Sequence, residues 1–198
     1  MANTNTGGFG LRAVMTVGNT PATSGQSEYP VQTAPGVALF KGNPGSLQDA
    51  GNTGFLQDAS FATTDDGVSS AGGTSYDNSA SNVAKIIGVF NGAFFINSST
   101  LKPTFANSVA ASTTFGADPN TGSSDGIGFV NDDPMQEYIV KSDAAVAQTK
   151  IGDAFNIKNF TASDAKNGQS TAFLAVDGVT GANTKMFRVV RSAEDPDN

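Results

Sequence analysis

The chain has 198 residues, a formal net charge of −7 and a sequence pI near 4.3. Cysteine, histidine and tryptophan are absent. Disulfides, Ser–His–Asp and Cys–His catalysis and His- or Cys-based zinc sites are therefore excluded within this chain. The eleven basic residues are scattered, whereas phosphate-backbone binding needs clustered Lys and Arg, so no nucleic-acid partner is expected. No apolar run approaches the roughly 20 residues of a membrane-spanning helix, and no membrane association is expected.

In chain order, residues 1–10 read as a flexible N-terminal arm, with Gly7, Gly8 and Gly10 around Phe9 giving it freedom to bend. Leu11 to Val17 is the first candidate strand. Tyr29 to Thr33 and Val37 to Lys41 follow as short strands separated by Pro35-Gly36, and Gly42-Asn-Pro-Gly45 reads as another turn. Residues 64–82 hold almost no core material, and a polar segment of that length is uncommon within a domain. Val83 to Phe90 returns to an apolar run, and Asn91-Gly92 predicts a hairpin pairing Lys85–Phe90 with Ala93–Asn97. Residues 107–126 form a second long polar segment.

The later segments alternate more clearly. Asp132-Asp133-Pro134 opens a strand over Gln136–Lys141, with Tyr138 and Val140 on one face. Asp143–Lys150 fits one or two helical turns with Asp143 as N-cap, or a loop leading into a strand at Ile151–Ile157. Thr171–Asp177 and Lys185–Arg191 complete the set; in the latter, Phe187, Val189 and Arg191 share a face. No segment carries a sustained apolar stripe of helical period. Many short strands joined by Gly, Pro and Asn turns predict an all-β fold: a single antiparallel β-barrel or jelly-roll-like domain over 11–192, with long polar loops and an acidic tail over 193–198.

Candidate chemistry is sparse. Asp118, Asn120 and Asp125 share a Gly-containing loop, but the spacing lacks the EF-hand acceptors at the fifth and twelfth positions, which favours a plain polar loop over calcium. Asp65-Asp66 and Asp132-Asp133 are adjacent pairs. Neighbours on a strand point to opposite faces, so neither pair can flank one bond as glycosidase carboxylates do, and turn capping explains them. Lys85, Lys141 and Lys150 lack a phosphate-loop or Ser-x-x-Lys context. No catalytic residue, cofactor or metal ligand is assigned, and no enzymatic activity is expected.

The order of segments resembles the capsid decoration (cement) proteins of tailed bacteriophages. Gly8-Phe-Gly-Leu-Arg-Ala-Val14 is similar to that family's opening segment, and Tyr29 with Val37-Ala-Leu-Phe-Lys-Gly-Asn-Pro44 to its early strand pair, where Asp is more usual at Asn43. Ile87-Gly-Val-Phe-Asn-Gly92, Asp132-Asp-Pro134, Ile151-Gly-Asp153 and Phe187-Arg-Val-Val190 continue the pattern. The resemblance implies a non-catalytic, all-β virion protein, made in the host cytoplasm, that sits on the outer capsid surface as a homotrimer with the major capsid protein as partner. Together with the arm reading, it makes Phe9, Leu11 and Arg12 the candidate contacts to the capsid or a neighbour: Phe9 and Leu11 as apolar anchors, Arg12 as a cation for a carboxylate. A receptor- or carbohydrate-binding module of a phage tail or fibre is the alternative. Such modules display exposed aromatics for stacking on sugars, and the chain has no Trp and three Tyr.

Overall fold

A computed structural model of the chain describes residues 8–18, 20–21, 25–48, 54–59, 86–158, 167–176 and 187–193. The polar segment 64–82, Lys85, the Asp65-Asp66 pair, residues 1–7 of the arm and 194–198 of the tail lie outside the described residues. Within them the protein is all-β, its sheets are antiparallel, and helix is limited to 3-10 turns such as Gln148–Lys150. Among the described residues the antiparallel sheets do not close into the barrel that is one of the expectations; their order is compatible with a sandwich- or jelly-roll-like arrangement.

The central sheet has six strands. β3 (Ser27–Val31), β10 (Gly126–Asn131), β7 (Ile86–Ile96), β5 (Pro44–Leu47) and β6 (Leu56–Asp58) lie side by side, and β8 (Pro103–Ala106) pairs with the second half of β7. A three-stranded sheet joins β11 (Gln136–Ile139), β1 (Arg12–Thr16) and β2 (Thr20–Pro21). Another joins β13 (Phe173–Ala175), β12 (Ala154–Lys158) and β14 (Phe187–Arg188), and β4 (Leu39–Phe40) pairs with β9 (Ser108–Val109).

β7 organises the core because successive side chains of a strand point to opposite faces. Phe90 and Ala93 pack on one side with Val31, Leu39, Leu56, Phe95, Val109, Phe115 and Val130. Val89 packs on the other with Leu11, Ala59, Phe155, Ile157, Ala172 and Leu174. The spacing of three between Phe90 and Ala93 breaks strict alternation, and a bulge accounts for it: Phe129 pairs with Gly92 and Val130 with Phe90, leaving Asn91 as the extra residue. A second bulge lies at Ile87, between the pairs Gly45–Gly88 and Ser46–Ile86, and it puts Ile86 on the same face as Val89, three residues on.

Two expectations are corrected here. Asn91-Gly92 is no hairpin turn. Ile86–Ile96 is one continuous strand of eleven residues whose two halves take different neighbours, β5 and β8, along one edge. A type I′ turn needs positive φ at both central residues, and only Gly92 has it, at 142°. Likewise Gly42–Gly45 is not a four-residue turn. Gly42, with φ of 94°, makes the bend, and buried Pro44 opens β5, the strand position where a missing N–H is tolerated.

The β1 strand falls where expected, Pro35-Gly36 lies in a bend whose Gly36 N–H donates to the Ala111 carbonyl, and Tyr138, Val140, Phe187 and Val189 all pack toward the Leu11 core. The Asp143–Lys150 segment keeps one 3-10 turn without a side-chain cap. Asp143 instead accepts a hydrogen bond from the Val176 N–H at 2.6 Å, tying the loop to the end of β13.

Candidate binding surfaces

The opening segment does not behave as a free arm from Gly8 onward. The Gly10 N–H donates to the Ala172 carbonyl at 3.1 Å and the Leu11 N–H to the Gly42 carbonyl at 2.9 Å. Gly8 lies so close to the 171–172 backbone that a Cβ there would sit 2.1 Å from the Thr171 oxygen. Leu11 is 4% exposed and belongs to the core. It is corrected from a partner anchor to a residue that holds this chain together, since a side chain already removed from water gains nothing at a second surface. Phe9 and Arg12 remain partly accessible and are paired with each other, the guanidinium lying 4.6 Å from the ring centroid. Arg12 also donates to Gln169 Oε1 at 3.1 Å.

Of the flagged carboxylates that are described, Asp118, Asp125 and Asp133 bond within their own turns, and Asp132 bonds to a distant tyrosine. Asp118 accepts from the Asn120 N–H at 2.7 Å, and Asp125 accepts from the Ser123 hydroxyl at 3.0 Å. Asp133 accepts from the Met135 N–H at 2.8 Å, and Asp132 from the Tyr29 phenol at 2.9 Å. Lys150 pairs with Asp153 at 3.3 Å, both exposed. Among the described residues no three acidic side chains converge as metal ligands, and no helix is long and apolar enough to cross a membrane.

The half-buried phenol of Tyr138 donates to the Asn131 carbonyl at 2.9 Å. Burial raises its pKa well above the ordinary tyrosine range, and the charges of Asp133 and Asp132 add to the shift. Tyr29 is raised too, first by burial and then by its bond to Asp132. Both effects keep these tyrosines neutral and structural.

What remains is surface, in two places. The first is on the β1–β11 sheet. Val14, Val17 and Met135 are exposed there, and Val17 is bonded to Met135 through the backbone at 2.8 Å. Arg191 reaches across from beyond β14, contacts the Met15 sulfur and pairs with Glu137 at 3.2 Å. The result is an aliphatic patch around an ion pair.

The second is the far end of the central sheet. The sheet face that carries Val89 is covered by the Leu11 core at that level but uncovered farther along. There Phe94 of β7, Phe105 of β8 and Phe129 of β10 cluster on three adjacent strands. Ring centroids of Phe94 and Phe105 are 4.8 Å apart, and those of Phe105 and Phe129 6.4 Å apart with planes only 17° from parallel. Phe105 is 75% exposed. The sequence reading missed this trio because its members lie far apart in the chain and only the sheet order unites them. Alternation offers a partial signal, since of the adjacent Phe94 and Phe95 only one can enter the core.

No family model, curated protein or solved structure matches this chain.

Proposed function

We propose that the protein is a structural, non-catalytic virion component of a tailed bacteriophage, one that binds the outer surface of the major capsid shell and stabilises it, with a homotrimer as the attaching unit. The observation carrying this reading is the apolar patch of Val14, Val17 and Met135 beside the Arg191–Glu137 pair. It lies on β1, which overlaps the opening segment Gly8–Val14, the first of the segments resembling decoration proteins. Apolar residues clustered around a few polar groups are the usual make-up of a protein-binding patch. The titratable side chains described above are occupied by turns and ion pairs, which suits a protein that holds a surface together. A ligand that binds only the assembled shell stabilises that shell by mass action, and three linked copies raise avidity without new contact chemistry.

Co-sedimentation of the purified protein with undecorated, expanded capsids tests the proposal. Binding should saturate, and the double variant Val14→Asp, Met135→Asp should weaken it severalfold or more while leaving the fold intact. Failure of the unmodified protein to bind any capsid of its source phage would overturn the reading. A tail or fibre receptor module is the competing assignment, favoured by the exposed Phe105 ring and the half-buried rings of Phe94 and Phe129 beside it. It predicts localisation to the tail and no capsid binding.

A further inference from the structure

Between the Phe105 and Phe129 rings the sheet surface sinks into a shallow open depression of about 250 Å³, lined by Asn91, Gly92, Ala93, Phe105, Ala106, Asn107 and Phe129. We propose that it is a binding subsite for one neutral sugar ring, a saccharide site separate from the capsid-binding patch and independent of that assignment.

The argument starts with the bulge. A regular strand would leave the residue between Phe90 and Gly92 in the ladder. Here Asn91 is the extra residue, and it lines the depression. Bulges commonly re-aim a side chain at a functional surface. Gly92 is the second half of the device. Its φ of 142° disfavours a side chain, and a Cβ there would meet the Ala106 oxygen at 3.1 Å, so glycine keeps the floor open while β8 pairs closely. On the far side, Asn107 lines the depression with its amide anchored by donation to the Asn167 carbonyl at 3.2 Å.

The lining then selects the ligand. An exposed aromatic face beside fixed amides matches a pyranose: C–H groups on one face of the ring lie on an aromatic plane, while hydroxyls at its edge exchange hydrogen bonds with amides. None of the lining residues is charged. The nearest register partner of Phe129 on its outer side is Glu28, exposed and on the same sheet face. A carboxylate there accepts hydroxyl hydrogen bonds and repels phosphate, sialic acid and other anions, as does the net charge of −7. Drug-sized ligands occupy pockets of about 300–1,000 Å³. The smaller, open depression suits one ring of a chain that continues over Phe94, and this predicts weak binding to a single ring.

Saturation-transfer NMR on the full chain is the test. The probes are neutral methyl glycosides of glucose, galactose, mannose and N-acetylglucosamine, with methyl sialoside and glucose 6-phosphate as anionic controls. Saturation should pass to the ring C–H protons of at least one neutral glycoside and to neither anion. Phe105→Ala should weaken the effect about tenfold, a loss of about 1.4 kcal/mol. Asn91→Ala should weaken it severalfold, with both variants melting like the unmodified protein and co-sedimenting with capsids as it does. No transfer to any neutral glycoside, transfer that survives both substitutions, or preference for the anions overturns the proposal. If Phe105→Ala abolishes capsid binding and no glycoside binds, the aromatic face is a protein contact and the saccharide assignment is wrong while the capsid assignment stands.

Discussion

Leu11 separates two roles that a sequence alone leaves tied together. As an apolar residue after a glycine-rich arm it reads as an anchor for a partner; with its N–H on Gly42 and its side chain 4% exposed it is core. Leu11→Ala should therefore destabilise the isolated protein by about 2–5 kcal/mol in urea unfolding, the range for a buried leucine replaced by alanine. A change near zero would return Leu11 to the surface. Gly128 makes a similar point by exclusion. A Cβ at that position would lie 2.5 Å from Leu56 Cδ2 and 2.9 Å from Val31 Cγ2. Gly128→Ala should lower stability by about 1–3 kcal/mol through overpacking, read as a lower urea midpoint at unchanged slope.

Tyr138 supplies the pH dependence. Its folded pKa is raised, so the folded state holds the phenol proton more tightly than the unfolded chain does. That stability is fully present below the ordinary tyrosine value of about 10 and is lost as pH rises above it. Tyr29 contributes in the same direction. Tyr138→Phe should flatten the alkaline fall in stability and lower stability at neutral pH by about 1 kcal/mol for the lost bond to the Asn131 carbonyl. An unchanged alkaline slope would show that the phenol is not the group responsible.

At the scale of elements, β7 decides the architecture. Its local dipeptide signal favours a hairpin, but a hairpin would pair its halves with each other and forfeit the neighbours on both sides. The long strand pairs with β10 along one edge and with β5 and β8 along the other. Plain alternation sends Val89 and Phe90 to different cores, and the bulge at Asn91 keeps Ala93 and Phe95 in the Phe90 core while Phe94 faces outward. Deleting Asn91 should leave a regular ladder, with Val130 still opposite Phe90, Phe129 still opposite Gly92 and Phe95 still in the core. Circular dichroism melting should show the deletion variant still folded, and Asn91→Ala, which keeps the bulge, melting close to the unmodified protein. Loss of most of the folded state on deletion would mean that the bulge does more than absorb one extra residue.

The strands whose alternation is local, such as the Tyr138–Val140 and Phe187–Val189 faces, were legible in the sequence, as was the all-β class. The docking of Gly8–Leu11 was not, because three residues of backbone bonding to Ala172 and Gly42 leave no periodic trace. Of the three expected contacts, Phe9 and Arg12 keep accessible surface and Leu11 does not. The aromatic trio was illegible for a different reason: Phe94, Phe105 and Phe129 become neighbours only once β8 and β10 have both paired with β7.

At the scale of the molecule, one side of the structure carries an aliphatic patch with an ion pair, and the far end of the central sheet carries an aromatic platform. The proposal gives these surfaces separate tasks, attachment at the β1–β11 sheet and saccharide capture at the uncovered end. Closed cyclic symmetry suits repeated attachment to a lattice, and light scattering at micromolar concentration in physiological salt should report a trimer. A monomer there would restrict trimerisation to the capsid surface. The central claim is the place of the protein in the particle. Cryo-electron microscopy of virions from the source, with copy number from quantitative mass spectrometry, tests it most directly. The account predicts density of this all-β fold over the outer shell, at a copy number in fixed proportion to the major capsid protein. Density confined to the tail or fibres at low copy number, or absence of the protein from the particle, would contradict it.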